Sequence, residues 1–168
     1  SGGIAASGGT LSNLNALIAA RNNARLGANP NSVLLVSEDA HSSFVKCIRV
    51  MGLDTTNLIR IKTDNEGRMD VNDLRRSLDK CSIENKKIFA IVATLGTTVR
   101  GAIDPIKEIS EICKQRNIWL HIDGSIGGIF AITSIPIEGL NNINQANSIT
   151  INPQKIIGIT KTSSLLLV

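Results

Sequence analysis

Short continuous apolar runs, each bounded by turn residues, alternate along this chain with stretches of helical periodicity, and that alternation restricts the fold more than any other feature. Residues 32–37 (SVLLVS), 88–94 (IFAIVAT), 118–122 (IWLHI) and 148–151 (SITI) have strand length, and three of them lack the in-out alternation of a half-exposed strand. They read as strands buried on both faces. Leu58 to Lys62 alternates and reads as a half-exposed strand. Between these lie helical segments. Thr10 to Arg25 carries Leu11, Leu14, Leu17 and Ile18 at helical spacing, with Gly27 as a stop. Phe44, Val45, Ile48 and Met51 form a second helix ended by Gly52, and Asp70 caps a third from Val71 to about Lys80, with Leu74 and Leu78 inward. Asp104-Pro105 opens a fourth in cap-then-proline order, with Ile106, Ile109, Ile112 and Cys113 on one face and Asn117 as its stop. Ile156–Thr160 and Ser163–Val168 read as a hairpin turned at Thr160-Lys161-Thr162. Strands and helices in this order imply βαβ units, hence an α/β fold with a mostly parallel sheet and helices on both faces.

With 168 residues the chain is long enough for one domain with a sizeable core. No apolar run approaches the length of a membrane span, so no membrane partner is expected. The net charge of +4 is spread in pairs such as Arg75-Arg76 and Lys86-Lys87, and four aromatics offer few platforms for bases, so nucleic-acid binding gains no support. Cys47, Cys81 and Cys113 are odd in number and widely separated, which indicates neither a disulfide framework nor a CxxC metal site and fits a reducing, cytoplasmic setting. The chain starts a few residues before a glycine-rich turn and stops inside the run Leu165–Val168. It is expected to be a piece of a longer protein, with any targeting segment unreadable.

Parallel sheets bind ligands outside the carboxyl ends of their strands. His41, Thr97, Thr98, Asp123 and Asn152 all follow predicted strands directly, and Ser7-Gly8-Gly9 leads into the helix that starts at Thr10. A helix start of this kind lets backbone N–H groups approach a phosphate. It also serves as an ordinary cap, and neither G-x-G-x-x-G nor G-K-[ST] is present. Lys155 follows Asn152-Pro153-Gln154 and sits between two apolar segments. Desolvation there would favour a neutral amine able to attack a carbonyl. Lysine, aspartate and anion-binding turn together point to pyridoxal phosphate; a non-catalytic nucleotide- or phosphate-binding α/β module stays open. His121 and Asp123, two apart on a strand, share a face, but no third ligand is near in sequence, so no metal site is expected.

The runs ASGGTLSNLNALIAARN (6–22), His41-Ser42-Ser43, VATLGTTVRGAIDP (92–105), IWLHIDGSIGG (118–128) and NSITINPQKIIG (147–158) resemble the group II pyridoxal-phosphate-dependent amino-acid decarboxylases, the family of aromatic-amino-acid, glutamate and histidine decarboxylases. The likeness covers nearly the whole chain in the right order. It implies that residues 1–168 are part of the cofactor-binding large domain of a fold-type I enzyme, without its N-terminal segment and C-terminal small domain. It implies that Lys155 carries the cofactor as an internal imine, that Asp123 pairs with the pyridine nitrogen and that His41 stacks on the ring. It places phosphate contacts on Gly9 and Thr10 and further cofactor contacts on Thr98, Ser125 and Asn152. The implied reaction is decarboxylation of an L-amino acid; an aminotransferase or a carbon-carbon lyase is the alternative. A homodimer is implied, and the isolated chain, lacking the segments that cover the site, is expected to be inactive. Two departures stand out. Gln154 replaces the usual histidine before the lysine and cannot carry a proton, and Gly124-Ser125 replaces the common Ala-Ala.

Overall fold

The computed structural model describes residues 2–137, 139–160 and 163–168 of the chain. Its elements in order are β1 (Gly3–Ala6), α1 (Gly9–Asn23), β2 (Ser32–Ser37), α2 (Ser43–Val50), β3 (Leu58–Ile61), α3 (Val71–Ile83), β4 (Lys87–Thr94), α4 (Ile106–Arg116), β5 (Trp119–Gly124), β6 (Ser148–Ile151), α5 (Pro153–Ile156) and β7 (Ser164–Leu167). Short 3-10 turns occupy Thr55–Asn57, Gly127–Ile132 and Leu140–Gln145. The strands make one sheet in the order β1-β7-β6-β5-β4-β2-β3. From β3 to β6 all neighbours are parallel, while β7 runs antiparallel to both β6 and β1. Thr94 registers with Asp123, and Asp123 with Thr150, so the central strands end at one level.

Because strand side chains alternate between faces, the continuous apolar runs supply two cores at once. Val33, Leu35, Ile91, Ala93, Leu120 and Ile122 face α3 and α4, where they meet Leu74, Leu78, Ile109 and Ile112. Leu34, Val36, Ala90 and Val92 face the other way, onto Leu17 and Ala20 of α1 and Phe44, Cys47 and Ile48 of α2. The expected layers are present.

Helix α1 corrects the periodicity drawn from its leucines. Its fully buried residues are Ser12, Asn13, Ala16, Leu17 and Ala20, whereas Leu14 and Ile18 are half-buried and Leu11 is exposed. The sheet beneath its first half presents His121, Asp123, Ser148 and Thr150, all buried, so a polar helix face meets a polar sheet face. The helix also closes earlier than expected, at Ala24, and Arg25 takes a left-handed φ of 55° before Gly27 does. Strand β1 was not legible in its four mostly exposed residues.

Two further expectations change. The stretch 156–160 is no strand: Pro153 starts the single-turn α5, and β7 inserts between β6 and β1 in place of a hairpin. Residues 161 and 162 of the expected turn lie outside the described residues. Asp104 does not cap α4, where Pro105 holds that position. Its side chain instead turns into the protein, where Oδ1 accepts from Met69 N and Oδ2 from Thr94 N, both at 2.7 Å. One carboxylate thereby ties the 95–103 loop to the end of β4 and to the turn before α3.

Asp104→Ala should therefore leave two buried backbone donors without an acceptor and lower unfolding free energy by roughly 2–5 kcal/mol, read from denaturant titration. Burial pushes the Asp104 carboxyl up to about 6, against the two N–H donors that pull it down. A carboxyl raised in the folded state contributes most at low pH and loses that contribution as pH rises through its folded pKa, so the gap between wild type and variant should narrow between about pH 4 and 6.

Candidate active site

The carboxyl ends of β4 and β5 open into a cleft of ≈ 560 Å³, roofed by the N-termini of α1 and α2 and flanked by the loop after β4 and by α5. Helix α1 contributes Gly8, Gly9 and Thr10, and the approach to α2 contributes His41 and Ser43. Thr94 and Thr98 come from the end of β4, Asp123 and Ser125 from the end of β5, and Asn152, Gln154 and Lys155 from α5 and its start. All the residues singled out in the sequence as cofactor-facing thus line one cavity.

The close approach of α1 to the strand ends depends on Gly9. A Cβ there would sit 2.8 Å from Ser125 Oγ and 3.4 Å from Asn152 Nδ2. Gly8, at φ 152° and ψ 160°, holds a conformation that is essentially glycine's alone. No side chain caps α1, so its first-turn amides are presented at the cleft with the positive end of the helix dipole. Asp123 lies on the floor, 5% exposed, with Oδ2 accepting from Asn13 Nδ2 at 3.0 Å and Oδ1 from Ser125 N at 3.1 Å. At the other wall His41 Nδ1 accepts from Ser43 N at 3.2 Å, which sets the ring at the start of α2.

Three buried side-chain oxygens on this cleft, Ser43 Oγ, Thr94 Oγ1 and Asn152 Oδ1, have no hydrogen-bond partner among the described residues. Buried polar atoms are normally paired, and three orphans lining one cavity mark it as made for a polar ligand. Ser43, Thr94 and Asn13 were missed in the sequence. Asn13 could have been found by helical spacing, since it lies four residues after Gly9 on the same face.

Other expected members are placed differently. Lys155 is exposed, not desolvated, because the apolar stretch after it turns outward with Ile156 and Ile157 half exposed. It lines the cleft all the same. Thr97 points inward, its Oγ1 accepting from Ala102 N at 3.0 Å, so it shapes the loop while Thr98 faces the cavity. The ring nitrogens of His121 are engaged by Asn13 and Ser148. Cys47, whose Sγ lies 3.9 Å from Thr10 O, is no nucleophile, since burial pushes its thiol up to about 11.

Residues 1–168 match the pyridoxal-dependent decarboxylase conserved domain over their whole length. The chain belongs to that family. Mouse CSAD shares 32% identity with this chain at a TM-score of 0.92, the match covering 99% of this chain and 37% of that one. The tryptophan decarboxylase of Catharanthus roseus, solved with L-tryptophan, gives 27% and 0.88 over 98% of this chain and 37% of its own. A sphingosine-1-phosphate lyase of Burkholderia pseudomallei, 26% identical, is also similar, with a TM-score of 0.79 over 98% of this chain and 37% of its own. The chain spans well under half the length of each of these proteins. Its cleft fits the cofactor in the family's name: an uncapped glycine helix start for a phosphate, unpaired buried oxygens for polar substituents, a carboxylate on the floor and a lysine at the rim.

Gly9, which lines the cleft, and Gly127, which lies behind it, should respond differently to a methyl group. At Gly127 a Cβ would stand 2.5 Å from the Leu95 carbonyl oxygen, fixed backbone that cannot yield, whereas at Gly9 it meets the rotatable Ser125 hydroxyl. Gly127→Ala is expected to cost roughly 1–3 kcal/mol in unfolding free energy. Gly9→Ala should stay within about 1 kcal/mol of wild type, its effect falling on the cavity instead. Thermal and denaturant unfolding of the two variants checks the contrast.

Proposed function

We propose that this chain is the cofactor-binding part of an enzyme that decarboxylates an L-amino acid with pyridoxal phosphate. One observation carries the reading: Lys155 and Asp123, more than thirty residues apart in sequence, share a single cleft with the uncapped glycine start of α1. The closer superposition on the tryptophan decarboxylase, at a TM-score of 0.88, than on the sphingosine-1-phosphate lyase, at 0.79, supports decarboxylation over carbon-carbon cleavage. When bound, the cofactor supplies an electron-accepting ring for the electrons left behind as carbon dioxide departs.

The residues divide the remaining work. Lys155 would hold the cofactor through its amine and, once released by the incoming substrate, move a proton at the reacting carbon. Asp123, fixed by two donors, would face the ring nitrogen and hold a proton there. Gly9 and Thr10 would receive the phosphate at the helix start. His41 would lie against the ring, and Thr98, Ser125 and Asn152 would contact its polar substituents. Gln154 in place of a histidine would donate a hydrogen bond but carry no proton. The segments of a longer chain, and a second copy in a homodimer, would complete the cavity; exposed Ile4, Leu165 and Leu167 support burial against further protein. Three free, buried thiols suit a cytoplasmic enzyme.

Borohydride reduction of the full-length protein with pyridoxal phosphate, followed by peptide mapping, should place the reduced cofactor on Lys155, and Lys155→Ala should abolish the adduct. Recovery of the label on Lys46 or Lys161 would refute the assignment. Asp123→Asn presents an amide N–H where an oxygen accepted, so carbon dioxide release across a panel of aromatic and acidic amino acids should drop on the order of a hundredfold while cofactor binding stays measurable. Undiminished turnover would remove Asp123 from the chemistry.

A further inference from the structure

A row of buried polar side chains runs between α1 and strands β5 and β6, on the sheet face opposite α3 and α4. Trp119 Nε1 donates to Ser148 Oγ at 2.9 Å, and the same oxygen lies 2.9 Å from His121 Nδ1. His121 Nε2 lies 3.1 Å from Asn13 Oδ1, and Asn13 Nδ2 donates to Asp123 Oδ2 at 3.0 Å. His121 is fully buried and Asn13 and Ser148 nearly so.

Burial disfavours the imidazolium, and for a neutral ring only one distribution of protons satisfies all four contacts. An indole N–H can only donate, so Ser148 Oγ accepts from Trp119 and turns its own hydrogen toward His121 Nδ1. At the far end the carboxylate can only accept, so Asn13 must direct its nitrogen there; the reverse placement would set an amide oxygen against a carboxylate oxygen. Asn13 Oδ1 then faces His121, and Nε2 has to carry a hydrogen. Thr150 Oγ1, 3.5 Å from Nε2, is a second, weaker acceptor for it. His121 is therefore the neutral Nε2–H tautomer, in keeping with burial, which lowers its pKa by disfavouring the imidazolium.

We propose that Trp119, Ser148, His121 and Asn13 form a one-way chain of donors that fixes the direction of the Asp123 carboxylate, making His121 and Asn13 positioning residues for the cofactor-facing acid. The proposal rests on the reading of Asp123 as the partner of the ring nitrogen. Each bond orients the next donor, so loss of His121 or Ser148 loosens the hold on Asp123 Oδ2 without altering any side chain that lines the cleft, whereas Asn13 is itself part of that lining.

The test uses the full-length protein, with and without pyridoxal phosphate. In the cofactor-free form, nitrogen-15 histidine spectra, assigned by difference with His121→Gln, should show Nε2 protonated and Nδ1 bare from about pH 6 to 8. An Nδ1–H tautomer, or a titration in that range, overturns the relay whatever the cofactor does. In the loaded form, His121→Gln should retain the bound-cofactor absorption spectrum and cofactor affinity, because its amide can accept from Ser148 and donate to Asn13. His121→Phe fills the space but breaks the chain. It and Asn13→Ala should alter the spectrum and lower kcat roughly tenfold or more with little change in KM. A purely space-filling role predicts the reverse order, Phe tolerated and Gln not. Should His121→Phe fail to fold, Asn13→Ala and the tautomer decide alone. Asp123→Ala separates the two levels: if it leaves cofactor affinity and spectrum untouched, the reading of Asp123 falls, and if it disturbs them while Asn13→Ala does not, only the relay falls.

Discussion

A carboxylate buried between a helix and a sheet has to be met by donors, because an unpartnered buried charge costs several kcal/mol. Asp123 sets this requirement here, and the packing of α1 follows from it. The helix brings Asn13 to Oδ2 and Gly9 so near Ser125 that a Cβ there would stand 2.8 Å from its Oγ, and in doing so it turns serine, asparagine and alanine inward and leaves Leu11 outside. An ordinary amphipathic helix would have buried the leucines and left the acid unpaired.

The sheet separates stability from chemistry by face. Toward α3 and α4 the central strands present aliphatic side chains, with the Asp104 carboxylate buried at the edge of that core. Toward α1, β2 and β4 are again aliphatic, but β5 and β6 present Trp119, His121, Asp123, Ser148 and Thr150, a polar seam that is tolerable only because its members satisfy one another. The aliphatic face supplies the driving force that keeps the seam dry. At the strand ends satisfaction stops, and around the cleft Ser43, Thr94 and Asn152 keep oxygens without partners among the described residues. The loop that carries Thr98 is held against this edge by Asp104, whose two oxygens take backbone donors from β4 and from the turn before α3.

Strand positions were legible because parallel strands buried on both faces must be apolar at every position, and such runs have few other uses in a chain this short. The caps at Asp70 and Asn117 were legible for local reasons: Asp70 accepts from Asn72 N and Asp73 N, and Asn117 takes the left-handed φ of 52° that ends α4. Asp104 was misread because its surroundings in sequence are those of a cap, and the two amides that claim it lie ten and thirty-five residues away. Lys155 was misread for a related reason: apolar neighbours in sequence bury a lysine only if they pack over it, and here they point outward. The expected hairpin failed because pairing partners are chosen by the sheet, which offered β7 a place between β6 and β1.

Read alone, the sequence determines the α/β class, the positions of the buried strands and the set of residues able to meet at the strands' carboxyl ends, because hydrophobic periodicity and turn chemistry are local properties. It also carries the motifs that mark the family. Only the tertiary structure decides which face of α1 is buried, which acid is a cap and which a cross-link, which lysine lines the cleft, and which way the protons point between Trp119 and Asp123. Each of these depends on partners distant in sequence, and a hydrogen bond or a burial has no direction until both of its sides are in place.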